Sequence, residues 1–185
     1  MTIAVKKEKT HYSWEDYKNF PGTGRWEIIA GEIFDMAPAP SVGHQRITRE
    51  LTRKLSDFFD KKKCEVLTSP IDVKLSDDDI VQPDLLIVCE KEKIKDTHIE
   101  GAPTVMIEII SKSSHSQDRF RKALLYAKFG VKEYWIVTPE PPLVELFSLD
   151  GDSYRLINVY DDSGILKSPS FEGLEIKLKD IFGIK

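Results

Sequence analysis

The chain has 185 residues, 41% of them hydrophobic and 31% charged, with a formal net charge of −4. A mean hydropathy of −0.32 and the lack of any apolar run near the roughly 18 residues of a bilayer span exclude both a disordered chain and a helical membrane protein. A chain of this length buries roughly 70% of its unfolded surface in one core, so a polar arm over residues 1–10 and a single domain over 11–185 are expected. The opening MTIAVKKEKT has too short an apolar patch for a secretory leader, and Cys64 and Cys89 show no CxxC or Cys/His ligand spacing. A cytoplasmic location without a membrane is expected, and zinc-finger or thioredoxin chemistry is not.

In chain order, Ser13 with Asp16 three residues on predicts a capped short helix over SWEDYKNF, stopped by Pro21-Gly22. RWEII and EIFDM flank Ala30-Gly31 and predict a hairpin, with glycine supplying the positive φ of the turn. From Ser41 to about Asp60, Ile47, Leu51, Leu55 and Phe58 recur at helical spacing, with Arg46, Arg49 and Arg53 on the opposite side. CEVLTS, IDVKLS, IVQPDLLIVCE, TVMIEIIS and EYWIVT are rich in β-branched residues and predict successive strands. A helix capped by Ser116 and ended by Gly130 separates the last two, its core side read as Phe120, Ala123, Leu124 and Ala127. Strand, crossover helix and strand favour a parallel pair. VELFSLDGDSYRLINVY predicts an antiparallel hairpin, and GLEIKLKDIFGIK a short strand with a helical turn.

Charge is unevenly spread. Residues 43–63 carry +4 and 111–132 carry +5, so the rest of the chain carries −13. The total argues against indiscriminate nucleic-acid binding, yet two basic segments on an acidic chain could track a phosphate backbone. The plainer reading of Arg46, Arg49 and Arg53 is a solubilising face.

Two apolar strands each spend one position on an acid. Glu108 sits among Val105, Met106, Ile107, Ile109 and Ile110, and Asp84 lies between Pro83 and Leu85-Leu86-Ile87-Val88. An unpaired buried carboxylate costs several kcal/mol, so each must be protonated, paired or bound to a cation. If the strands are neighbours, both can converge on one hard divalent ion such as Mg²⁺. Lys122, four residues after Asp118 and four before Tyr126, shares a helix face with both and can stabilise charge on a phosphate. Taken singly, each acid also fits a solvent-facing strand end or a structural ion pair, and Lys122 fits a solvated face. His44 opens the basic helix and could touch a phosphate or carry a proton, although capping is the commoner role there.

WEDYKNF, RWEIIAGEIFDMAPAP, the helix-opening His44, VQPDLLIV, VMIEIISKSS and DRFRKALLYAKFGVKEYWIVTP together resemble the Uma-two family, of the DUF820 type, within the PD-(D/E)XK nuclease superfamily. The resemblance covers about residues 10–183. It implies an α/β (α+β) restriction-endonuclease-like fold, a mixed central β-sheet flanked by helices, with Asp84 and Glu108 holding Mg²⁺ or Mn²⁺. The superfamily lysine two residues after the glutamate is replaced here by Ile110, and the resemblance implies its migration to Lys122 in DRFRK. It also implies that Glu27 or Glu32 of the first hairpin adds an acid.

The expected function is a metal-dependent endonuclease cutting DNA, with Asp84, Glu108 and Lys122 catalytic, Asp84 and Glu108 on the metal, Glu27, Glu32, His44 and Asp118 supporting, and Arg46, Arg49 and Arg53 on DNA. Duplex DNA is better gripped by a symmetric homodimer. The alternatives are a non-catalytic DNA- or protein-binding accessory protein that keeps the fold, and a hydrolase of another phosphate ester.

Overall fold

Alternation along the strands sorts side chains onto two faces, and the faces define the layers. The computed structural model describes residues 9–20, 24–36, 39–110 and 116–183, the side chains of 116–118 excepted. Its helices are α1 (Trp14–Lys18), α2 (Val42–Phe59), α3 (Ser116–Lys128) and α4 (Lys179–Phe182). The strands run from β1 (Trp26–Ile29), β2 (Glu32–Asp35), β3 (Glu65–Thr68), β4 (Asp72–Ser76), β5 (Asp79–Val81), β6 (Leu85–Val88) and β7 (His98–Glu100) to β8 (Val105–Ile109) and β9 (Glu133–Pro139). β10 (Pro142–Asp150), β11 (Ser153–Asp161), β12 (Ile165–Lys167) and β13 (Glu175–Lys177) complete them.

Two mixed sheets carry the architecture, in the orders β2-β1-β5-β4-β7 and β11-β10-β9-β8-β6-β3, with β12-β13 a separate pair. In the larger sheet only β8 and β9 run parallel, joined through α3 as the crossover predicts. One face of that sheet (Leu85, Ile87, Ile107, Trp135) packs on Ile47, Leu51, Leu55 and Phe59 of α2. The other (Leu86, Met106, Tyr134, Ile136) packs on Leu125 and Tyr126 of α3 and on Ile29, Val73 and Val81 of the smaller sheet. A third cluster, Tyr12, Trp26, Ile28, Ile33 and Ile80, lies under the aromatic residues of α1.

The fold matches the expected mixed sheet with flanking helices, and it corrects four local readings. IVQPDLLIVCE is two strands, because β5 belongs to the smaller sheet and β6 to the larger. Gln82-Pro83-Asp84 carries the chain between them, where a proline without an N–H cannot serve a ladder. In α2 the i, i+4 series continues to Phe59, so Phe59 enters the core and Phe58 is only half-buried. In α3 the core side is half right: Ala127 is buried and Ala123 packs on the core as expected, but Phe120 and Leu124 are 72% and 62% exposed, and Lys122, Leu125 and Tyr126 are buried in their place.

The fourth correction concerns Cys64 and Cys89, which form a disulfide. The register Glu65↔Val88 sets them opposite each other just beyond the paired residues of β3 and β6. Disulfides belong mainly to oxidising compartments, so cysteine usage no longer argues for the cytoplasm. Among the described residues no helix is long and apolar enough to cross a membrane.

The first hairpin forms as predicted, but Ala30 as well as Gly31 takes positive φ, 52° and 75°. The carboxylate of buried Asp79 accepts the Ala30 N–H at 2.8 Å and anchors the strained turn. This ties the turn, and with it β1 and Glu27, to β5 of the smaller sheet.

Candidate active site

Register brings the two strand acids together. β6 and β8 run antiparallel with Leu85↔Ile107 and Leu86↔Met106, and one more step sets Asp84 opposite Glu108. Opposite residues share a face with Cβ atoms about 5 Å apart, and that face is the one α3 covers. Asp84 Oδ2 accepts the backbone N–H of Ile109 at 2.8 Å and lies 3.1 Å from Nε2 of His44. Ser41 caps α2 by accepting the His44 N–H at 3.2 Å, which sets His44 in the first turn, over Asp84.

Glu27 arrives from the smaller sheet. Its Oε1 accepts the Gln82 backbone N–H at 2.9 Å, so the segment that carries Asp84 between sheets also holds this acid. Lys122 bridges the two sheets: its Nζ donates to Glu27 Oε1 at 2.9 Å and to Glu108 Oε1 at 3.1 Å. One helical turn on, Tyr126 donates its hydroxyl to Glu108 Oε1 at 2.8 Å and is fully buried. Spacing of four residues sets both donors on one helix face above one carboxylate.

Electrostatics favour a cation. Burial pushes the Glu108 carboxyl up to about 7. The Lys122 charge pulls it back, Asp84 and Glu27 raise it further, and the Tyr126 hydrogen bond lowers it. Burial, and then the negative charges of Glu108 and Glu27, hold the Tyr126 phenol well above its ordinary range, so it remains a donor. Two carboxylates, Glu27 and Glu108, hold one ammonium, and a third, Asp84, is near enough to Glu108 to raise it. Both bonds to Glu108 use Oε1 and both contacts to Asp84 use Oδ2, which leaves, among the described residues, Oε2 and Oδ1 for another ligand. Hard oxygen donors with surplus negative charge suit Mg²⁺ or Mn²⁺.

The remaining candidates are placed differently. Glu32 is exposed at the turn end of β2, opposite Ile29 and away from the cluster. The Asp118 side chain and residues 111–115 lie outside those described. Arg46, Arg49 and Arg53 are exposed as expected, but Arg49 and Arg53 bond the carboxylate of Glu50 at 3.0 and 2.8 Å, which neutralises part of the stripe. Sequence reasoning passed over the contributions of Tyr126 and the Gln82 amide. The first had a signal in its spacing from Lys122, and the second had none, since a backbone donor carries no side-chain signature.

Comparisons with known proteins bear on the family and the fold. A family model described as "Putative restriction endonuclease" matches residues 14–179. The chain is 24% identical over 174 residues to "Uncharacterized protein slr1290" of Synechocystis sp., covering 93% of this chain and 88% of that one. A crystal structure of a "putative nuclease belonging to DUF820" from Anabaena variabilis superposes with a TM-score of 0.77 at 20% identity, over 92% of this chain and 97% of the other. That likeness shows the fold.

Proposed function

Because the chain belongs to the Uma2 family, we propose that it is a metal-dependent endonuclease hydrolysing phosphodiester bonds in DNA, with the superfamily lysine relocated to α3 as Lys122. One observation carries the reading: the register sets two acids, Asp84 and Glu108, opposite each other, and a buried ammonium touches one of them. Asp84 Oδ1 and Glu108 Oε2 would hold Mg²⁺ or Mn²⁺, with Glu27 adding negative charge behind Lys122. When bound, such an ion supplies Lewis-acid charge at the phosphate and makes water a better nucleophile.

The chain's own residues do the rest. Glu27 orients the Lys122 ammonium, which neutralises charge developing on the scissile phosphate. Tyr126 and the Ile109 N–H each hold one oxygen of Glu108 and Asp84, which restrains both carboxylates and leaves their second oxygens for a ligand. His44, against Asp84, orients that carboxylate and stands where a proton can be passed to solvent. Arg46 and the partly neutralised Arg49 and Arg53 support the DNA backbone, and two chains act as a symmetric pair.

The test is plasmid cleavage with Mg²⁺ and with Mn²⁺, comparing wild type with Asp84→Ala and Lys122→Ala, alongside calorimetric Mn²⁺ binding by wild type and Glu108→Ala. Metal-dependent nicking abolished in both variants, with Mn²⁺ binding lost in Glu108→Ala, is the expected result. Full-rate cleavage in both variants removes these residues from the mechanism. A second reading, a non-catalytic accessory protein, draws on the double pairing of Lys122, which also suits a structural ion triad. It predicts no Mn²⁺ binding and stability indifferent to chelators.

A further inference from the structure

Arg25 lies just ahead of β1, where the Met36 N–H donates to its carbonyl and carries the hairpin pairing one residue further. It is two residues before Glu27, so strand alternation sends both side chains to one face. Gln82 meets both of them: its backbone N–H donates to Glu27 Oε1, and its side-chain Oε1 accepts from Arg25 Nε at 2.7 Å. Arg25 Nη2 also donates to Ser69 Oγ, and the Ser69 N–H donates to the Asp84 carbonyl at 2.9 Å. One edge of the guanidinium is therefore fastened to both ends of the turn that carries Asp84. The Gln82 amide has only one orientation here. Arginine only donates and an ionised carboxylate only accepts, so the amide oxygen faces Arg25 and the NH₂ faces Asp72 and the Tyr17 hydroxyl, at 2.7 and 2.9 Å.

These bonds hold the guanidinium without neutralising it. Arg49, Arg53, Arg119 and Arg155 each pair with a carboxylate. Both acceptors of Arg25 are neutral, and Asp72, the acid of this network, stands on the far side of the Gln82 amide. Arg25 is nonetheless exposed, so Nη1 and the second Nη2 proton remain, among the described residues, for a ligand. A planar fork fixed along one edge suits a phosphate oxygen on the other. The site needs such a charge at its rim. Glu27, Asp84 and Glu108 repel a polyanion, and the Lys122 ammonium is already shared between two of them. We propose that Arg25 binds a phosphate of the DNA strand beside the scissile one, its guanidinium pre-set by Gln82 and Ser69. A side chain already immobilised loses little freedom when the phosphate arrives. The contact rests on the endonuclease reading and adds to it a substrate-binding residue on the first hairpin, outside the basic segments of α2 and α3.

Fluorescence anisotropy of a labelled duplex, titrated with the full chain over a series of salt concentrations, tests the contact apart from cleavage. It is run in chelator and again with Ca²⁺ in place of Mg²⁺. One phosphate contact contributes about 0.9 to the slope of log affinity against log salt, and so about tenfold in affinity at roughly 0.1 M salt. Arg25→Gln is expected to lose that much of each, equally on unrelated sequences. Arg25→Lys should restore the slope but not the full affinity, because an ammonium keeps the charge and lacks the fork. Ser69→Ala should weaken binding and leave the slope intact, since it frees the guanidinium without removing it. Circular dichroism establishes that the variants are folded. Phenylglyoxal labelling of wild type, read by mass spectrometry, needs no variant: Arg25 should be modified in the free chain and protected by saturating duplex. A folded Arg25→Gln chain with the wild-type slope, or labelling of Arg25 that duplex does not slow, overturns the contact while DNA binding stands. A wild-type chain that binds no duplex under either condition overturns the endonuclease reading and the contact together.

Discussion

α2 and α3 cover opposite faces of the same six-stranded sheet and use opposite chemistry to do so. α2 buries Ile47, Leu51, Leu55 and Phe59 and turns Arg46, Arg49 and Arg53 to water. α3 also buries Leu125 and Ala127, but beside them it buries Lys122 and Tyr126 and leaves Phe120 and Leu124 open. Burial of aliphatic groups stabilises α2 at about 25 cal/mol per Å² with no partner required. A buried ammonium and phenol are tolerable only because Glu27 and Glu108 meet them at hydrogen-bond distance. The difference teaches that one helix is held by area and the other by specific partners drawn from two sheets.

The sharpest way to break that contrast is Lys122→Ala. Removing the ammonium strands Glu27 and Glu108 in the interior, and the expected loss is about 3–5 kcal/mol of unfolding free energy in urea titration. A loss below about 0.5 kcal/mol would mean that α3 is held by area as well. Leu55→Ala in α2 should cost about 2–5 kcal/mol by cavity formation and leave Mn²⁺ binding unchanged. The two substitutions separate the helices only if the binding readout divides them where stability does not.

Much of the frame was legible because it rests on local periodicity. The i, i+4 series of α2, the β-branched runs and the strand, crossover helix, strand unit around α3 all survive in the structure. What failed was non-local. Lys122 lies 95 residues from Glu27, so nothing near it in the chain shows that its charge is satisfied, and an apolar pattern with Phe120 and Leu124 naturally draws the helix inward on the wrong side. Asp84 was recognised as a costly acid, but the passage from one sheet to the other at Gln82-Pro83 was hidden inside what reads as one apolar strand. The pairing of Cys64 with Cys89 likewise depends on the register of β3 and β6.

Titration should sharpen the contrast further. With its carboxyl raised to about 7 from an ordinary value of 4.5, Glu108 binds a proton more readily in the folded chain than in the unfolded one. Stability of the metal-free protein should therefore fall as pH rises from the ordinary carboxylate range through about 7. Glu108→Gln, which cannot ionise, should flatten that part of the profile. An identical slope in both proteins, measured by thermal unfolding in chelator, would place the titration elsewhere. Tyr126→Phe should cost about 1.5–3 kcal/mol, the worth of a hydrogen bond to a charged group. It should also move the Glu108 titration upward, because the lost bond favours the ionised form. Leu55→Ala should leave that titration in place.

The smallest effect belongs to the outer flank of α3. Phe120 is 72% exposed, so Phe120→Glu removes little buried area and introduces a charge that water already solvates. In protein dilute enough to be a single chain, its unfolding free energy should stay within about 0.5 kcal/mol of wild type. A Phe120→Glu chain that is strongly destabilised when dilute would mean that the flank is packed within one chain. The patch would then belong to the core, and α3 would be anchored on both sides by area.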